Sequence, residues 1–113
     1  MPTEKRGLLC EFKPEELKST PEMREWFTGS YPRFVDDDLL EFKCWFVNQE
    51  RGTWGALYIW KSAEALDDYV NGDVWNKVVP EKYGCKPTWQ VVEVGPIIAK
   101  TEIKVAKDSW ISE

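Results

Sequence analysis

Residues 39–49, Leu39-Leu40-Glu41-Phe42-Lys43-Cys44-Trp45-Phe46-Val47-Asn48-Gln49, and residues 53–60, Thr53-Trp54-Gly55-Ala56-Leu57-Tyr58-Ile59-Trp60, flank the short polar stretch Glu50-Arg51-Gly52. Both runs are rich in β-branched and aromatic residues, and the tight spacing between them predicts an antiparallel hairpin. Side chains alternate across a strand, so each run divides by parity into two faces. With a two-residue turn, paired positions sum to an odd number, and sliding the turn by one position changes that sum by two, so the face assignment survives the shift. One face then carries Leu40, Phe42, Cys44 and Phe46 with Gly55, Leu57 and Ile59, an aliphatic surface suited to packing helices. The other carries Glu41, Lys43, Trp45 and Val47 with Trp54, Ala56, Tyr58 and Trp60. Flat rings mixed with charged and hydroxyl groups are the composition of a ligand pocket or a protein interface.

Outward from the hairpin, Gly7 to Phe12 reads as a first strand closed by Pro14. Thr20-Pro21-Glu22 is a helix start, with Met23, Trp26 and Phe27 on an apolar stripe. Gly29 and Tyr31-Pro32 predict a break in that helix and a further turn over Arg33 to Val35. Ser62 caps a helix with Ala63, Leu66 and Val70 on one face, stopped by Asn71-Gly72. Asp73 is expected to cap a short helix through Val79, ended by Pro80. Lys86 to Ile98 reads as the last strand, with Trp89, Val91 and Glu93 on the face of mixed character. In the first strand Leu9 and Glu11 are expected on that same side. The order βαββαβ is an α+β, ferredoxin-like subunit with an antiparallel sheet and helices on one face.

The chain has 113 residues, the size of one domain, with residues 99–113 a polar C-terminal extension carrying an isolated Trp110 that is expected to dock on a partner. Fifteen lysines and arginines against 20 acids give a net charge of -5, which disfavours phosphate backbones and anionic membranes. Neither nucleic acid nor a membrane is expected as a partner. There is no histidine, which removes the commonest metal ligand, the usual neutral-pH base, the usual proximal ligand of haem and any hydrolase triad. Cys10, Cys44 and Cys85 fit neither a zinc spacing nor a redox pair and read as free thiols in a reducing compartment. With no signal-like or membrane-spanning run, a cytoplasmic protein is the expectation.

Seven tryptophans, five phenylalanines and four tyrosines need a location. A ring-rich sheet face left open makes a monomer sticky, and a second copy laid on it closes a barrel lined by the mixed face. Two readings stand: a pocket within that barrel, or rings that only fill a dimer interface. Lys43, Glu41 and Glu93 favour the pocket, because sealed charges carry a desolvation cost.

Lys43-Cys44-Trp45, Gly55-Ala56-Leu57-Tyr58-Ile59-Trp60, Ser62-Ala63 and Tyr69 resemble the Lys-x-Trp, Gly-Gly-x-Tyr-x-Phe and Ser-Ala...Tyr pattern of the YdhR-type mono-oxygenases of the dimeric α+β barrel superfamily. The specific part of the resemblance lies within about residues 43–69. It implies a homodimer with a cavity in each subunit, and oxygenation of an aromatic, polyketide-like substrate by dioxygen without metal, flavin or other cofactor. Ala56 replaces the second glycine and Trp60 the phenylalanine, which reshapes the pocket.

Such chemistry needs a flat slot, a proton acceptor and donors for a developing oxyanion. Trp45, Trp54, Trp60 and Trp89 are the candidate slot residues. Tyr58 and the Trp45 indole are candidate donors, and Lys43 is either an oxyanion partner or, desolvated, a base. Glu41 and Glu93 are the other candidate bases. Each has an alternative: Lys43 paired with Glu41, Tyr58 as an interface ring, Trp54 at the rim. A cyclase or isomerase, or a non-catalytic small-molecule binding protein, remains open on the same scaffold. Trp26 and Trp75 are expected in the core.

Overall fold

The computed structural model describes residues 5–98 and 100, so the expected tail at 99–113 lies outside them except for Lys100. The chain runs β1 (Arg6–Phe12), α1 (Thr20–Val35), β2 (Leu40–Asn48), β3 (Thr53–Trp60), α2 (Ala63–Val70), a π-helical turn (Val74–Val78), α3 (Val79–Tyr83) and β4 (Thr88–Glu93). The sheet is antiparallel throughout, in the order β2-β3-β1-β4. This is the ferredoxin-like α+β arrangement expected from the sequence, with helices over one face.

Two helical expectations need correction. The helix α1 is continuous through Gly29 and Pro32, because Met23, Phe27, Ser30 and Phe34 recur at helical spacing and are all buried. Burial of that stripe outweighs the hydrogen bond that Pro32 cannot donate. The cap is Ser19, one residue earlier than Thr20, in a reciprocal capping box with Glu22. Pro80 likewise does not end a helix. It occupies the first turn of α3, where a missing N–H is tolerated, and the helix stops at Gly84 in the left-handed conformation, φ 76°. Asp73 makes no capping hydrogen bond. Ser62 does cap α2, accepting from the Ala65 N–H at 3.0 Å.

The hairpin register is Lys43↔Tyr58, Trp45↔Ala56 and Val47↔Trp54, so the parity sets hold along most of β2 and β3. A bulge at Glu41 puts Leu40 opposite Trp60, shifting Leu40 to the ring-bearing face, where it packs on the core. In β1 it is Leu8, Cys10 and Phe12 that share the ring-bearing face. Leu9 and Glu11, paired with Leu57 and Gly55, lie on the opposite one, contrary to expectation.

The largest correction concerns which face the helices cover. Trp54, Ala56, Tyr58 and Trp60 are buried at 2–4 % exposure against the protomer's own α1 and α2, and the aliphatic face is left without helices. No second subunit is needed to roof the rings. Each buried ring removes about 150–250 Å² from water, on the order of 4–6 kcal/mol as an upper bound. Several rings together exceed the several kcal/mol of desolvating one lysine. The ring face is therefore the better core, and Lys43 is carried in with it. On the open face, Gly55 and Gly7 leave room for neighbours: a Cβ on Gly55 would collide with the Cys10 carbonyl and lie 2.7 Å from the Phe46 ring, and one on Gly7 would lie 2.8 Å from Val92.

Candidate functional site

Between the sheet and α1 and α3 lies a narrow cleft that reaches the surface at Arg33 and Lys82 and has a closed depth on the scale of a single water molecule. From the sheet, Lys43, Trp45, Trp54 and Tyr58 line it; from the helices come Ser30, Arg33, Phe34, Tyr69, Lys82 and Tyr83. The sheet supplies rigid placement through the Lys43↔Tyr58 pair, whose side chains stand adjacent on one face.

Lys43 is the centre of the arrangement. Its Nζ lies 3.3 Å from the Phe34 ring centroid, 4.2 Å from that of Tyr58 and 4.3 Å from that of Trp45. These are cation–π distances, and no carboxylate forms an ion pair with it among the described residues. The residue keeps some exposed surface, yet its amine sits among rings. Burial pushes that amine well below its ordinary value of 10.5, and the positive charges of Arg33 and Lys82 act in the same direction. The ring walls are fixed from two sides: Trp45 meets Phe27 at 5.8 Å and Phe34 at 6.1 Å on α1, and Trp54 stacks on Phe12 of β1 at 4.1 Å.

The Tyr58 and Tyr69 hydroxyls are 3.3 Å apart. Burial raises both phenols, so at neutral pH each remains a protonated donor. At the mouth Lys82 Nζ donates to Ser30 Oγ at 3.2 Å, and Ser30 Oγ lies 3.1 Å from the Tyr83 hydroxyl. Cys10 lies in the lining, its thiol pushed up to about 11 by burial, and so is protonated rather than nucleophilic.

Of the residues singled out from the sequence, the structure brings Lys43, Tyr58, Trp45 and Trp54 together in this cleft. Trp54 is buried at 3 % exposure although it pairs near the hairpin tip. Trp60 is packed in the core against Tyr69 at 4.9 Å and does not line the cleft. Trp89 is exposed on β4, edge-on to Trp75 at 6.0 Å. Glu41 is exposed at the bulge and pairs with Lys5 at 2.9 Å, not with Lys43. Glu93 ends β4 on the surface. Neither carboxylate reaches the cleft. Trp75 is buried and Trp26 half-buried, as expected of core rings. Sequence reasoning missed Arg33, Phe34 and Lys82, because helix breaks were expected at Pro32 and Pro80. The 3-4 spacing from Met23 to Phe34 was the signal that locates Phe34. Ser30 and Tyr83 are 53 residues apart, and no local pattern joins them.

No known family model matches the chain, and no curated protein matches it in sequence. Among solved structures, the fold is similar to the NE2512 protein of unknown function from Nitrosomonas europaea, with a TM-score of 0.62 and 13 % identity over 88 % of this chain and 96 % of that one. It is similar to SnoaB, a cofactor-independent oxygenase from Streptomyces nogalater, with a TM-score of 0.54 and 11 % identity over 88 % and 97 %. A conserved protein from Methanosarcina mazei matches with a TM-score of 0.52 and 13 % identity over 79 % and 91 %. Among the described residues, no helix is long and apolar enough to cross a membrane. At these identities the comparisons establish one thing, that this chain has the ferredoxin-like α+β fold also found in a cofactor-independent oxygenase.

Proposed function

We propose that the protein is a cofactor-independent mono-oxygenase acting on a planar aromatic, polyketide-like substrate, with Lys43 as the base. The observation that carries this reading is the Lys43 amine held among Phe34, Trp45 and Tyr58 with no carboxylate beside it. Desolvation disfavours the ammonium form and so makes this amine a readier proton acceptor than a solvated lysine, and rings around it suit a flat, electron-rich substrate. The similarity of fold to SnoaB is consistent with the reading, and the YdhR-type motif Lys43-Cys44-Trp45 belongs to the same proposal.

In the proposed reaction, Lys43 removes a proton from an activated CH2 flanked by aromatic rings, and the carbanion passes one electron to dioxygen. Recombination forms a C–O bond to a peroxide, which takes a proton back from the Lys43 ammonium. Loss of the second C–H proton then breaks the O–O bond and releases water, so CH2 becomes C=O and the second oxygen atom leaves in water. Tyr58, kept protonated by its burial, donates to the oxyanion of the neighbouring phenol in the carbanion. Because the closed depth admits about one water, a planar substrate requires α1 and α3 to separate as it enters.

A homodimer through the open sheet face is part of the proposal. Leu9 and Val92 are 36 % and 37 % exposed there, beside the half-buried Phe42, Phe46 and Leu57. The test of function is oxygen uptake with a panel of anthrones, each with a CH2 between two rings, in metal-free buffer. Uptake matched one-to-one by quinone formation is expected, and Tyr58→Phe should lower its rate about 10²- to 10³-fold. Turnover without oxygen uptake would transfer the reading to a cyclase or isomerase, and binding without turnover to a carrier.

A further inference from the structure

The cleft has a surplus of donors. Three of its side chains, Arg33, Lys43 and Lys82, are basic and none is a carboxylate, in a chain whose net charge is -5. Lys82 on α3 reaches Ser30 at 3.2 Å, and Ser30 and Arg33 lie three residues apart on one side of α1, so basic groups from two helices converge on one rim. Arg33 and Lys82 are exposed, and neither is in an ion pair among the described residues. Trp54, 3 % exposed and part of the lining, has a buried Nε1–H with no acceptor, and an indole N–H can only donate. A buried donor without an acceptor and unpaired basic groups at one mouth are both relieved by a ligand that brings acceptors and negative charge.

The neighbouring groove shows the contrast. It shares Trp54, Lys82 and Tyr83 with the cleft, but adds Glu16 and Glu81 beside Lys18. Its charge is mixed, and its carboxylates repel an anion that the cleft attracts.

We propose that the cleft takes a planar aromatic acid, its carboxylate seated between Arg33 and Lys82 at the rim and its ring directed inward toward Trp45 and Lys43. This deepens the oxygenase reading and rests on it. An acid so anchored has its orientation fixed before reaction, which is how a charged handle remote from the reacting carbon serves catalysis.

The test is calorimetric titration of the full chain with 2-naphthoate and with 2-naphthamide, neutral and of nearly the same shape. Naphthoate is expected to bind at least about tenfold more tightly in low salt, with the advantage shrinking as sodium chloride is raised. Arg33→Gln and Lys82→Gln, both on the exposed rim, should each weaken naphthoate several-fold and leave the amide unchanged. Equal affinity for acid and amide would overturn the inference while leaving an aromatic-binding cleft intact. A preference for the acid that survives both substitutions would overturn the assigned seat. If neither compound binds at millimolar concentration, the reading of the cleft as a small-molecule site falls, and the inference with it.

Discussion

The two faces of the sheet differ in a way that reverses a simple hydrophobicity argument. The face with Lys43, Tyr58 and four of the tryptophans is the one under the helices, and the nearly uniform aliphatic face of Leu9, Phe42, Leu57 and Val92 is the one left open. Ring area decides this, because large aromatic surfaces gain more from burial than one lysine loses. A charged group forced inside by its neighbours then acquires properties that the open face cannot give it. The depressed amine pKa of Lys43 and its ring cage belong to the covered side. The open face has the opposite character: apolar side chains dominate its middle, Cys44 beside Leu57 is its one thiol, and Glu11 lies toward one end, which suits association rather than chemistry.

The sharpest way to break the contrast is Lys43→Met, which keeps the shape of the chain in the cleft and removes the amine. Oxygenase turnover is expected to fall by about 10²- to 10⁴-fold, the range for loss of a general base. Stability should move the other way. The folded protein holds the Lys43 proton less tightly than the unfolded chain does, so between the depressed value and the ordinary 10.5 the unfolded state binds more protons and stability rises with pH. That contribution is complete above 10.5 and lost as pH falls through the depressed value. Tyr58 and Tyr69 act oppositely, their contribution complete below the ordinary 10.0 and lost as pH rises through their raised values. Urea unfolding followed from pH 6 to pH 10 should therefore show the natural chain gaining stability relative to Lys43→Met as pH rises toward 10.5, with Lys43→Met the more stable of the two at the acid end. Parallel pH responses would show that the amine is not desolvated.

On the open face, Leu9→Glu is the corresponding probe. Leu9 pairs with Leu57 and Gln90 at the middle of the sheet, so a charge there meets its own copy in the proposed dimer. Light scattering should show the mass halved at micromolar concentration, with the near-ultraviolet signal of the buried rings retained. A chain that scatters as the same species before and after substitution would remove this face as the dimer interface.

How much of this was legible in the sequence follows from the range over which each signal acts. The hairpin parity is local and two-periodic, and it placed Lys43, Trp45, Tyr58 and Trp54 on one face correctly. Whether that face meets helices or a second subunit depends on the summed areas of both faces, which alternation does not encode. The β1 assignment of Leu9 and Glu11 failed for a related reason: the pairing of β1 with β3 joins distant segments, and a one-residue shift inverts every side chain. Pro32 and Pro80 show tertiary context overriding a local rule, and each error hid a cleft residue, Arg33 or Lys82. The bulge at Glu41 adds one unpaired residue, which is invisible to alternation and is what turns Leu40 inward.

The smallest expected effect comes from the two acids. Glu41 and Glu93 have the residue type of a general base but not the place of one: Glu41 is paired with Lys5 at 2.9 Å outside the bulge, and Glu93 is exposed at the end of the edge strand. Glu41→Gln removes a partly exposed ion pair, which contributes about 0–1 kcal/mol, and Glu93→Gln removes a solvated charge. Both should leave oxygen uptake within about twofold of the natural chain, far inside the loss of at least about 10²-fold expected for a missing base. A drop of that larger size in either variant, with folding intact by circular dichroism, would move the proton acceptor from the covered face to the sheet's edge. The amine among the rings would then be a structural cation, and the cleft a binding site for something other than the reacting carbon.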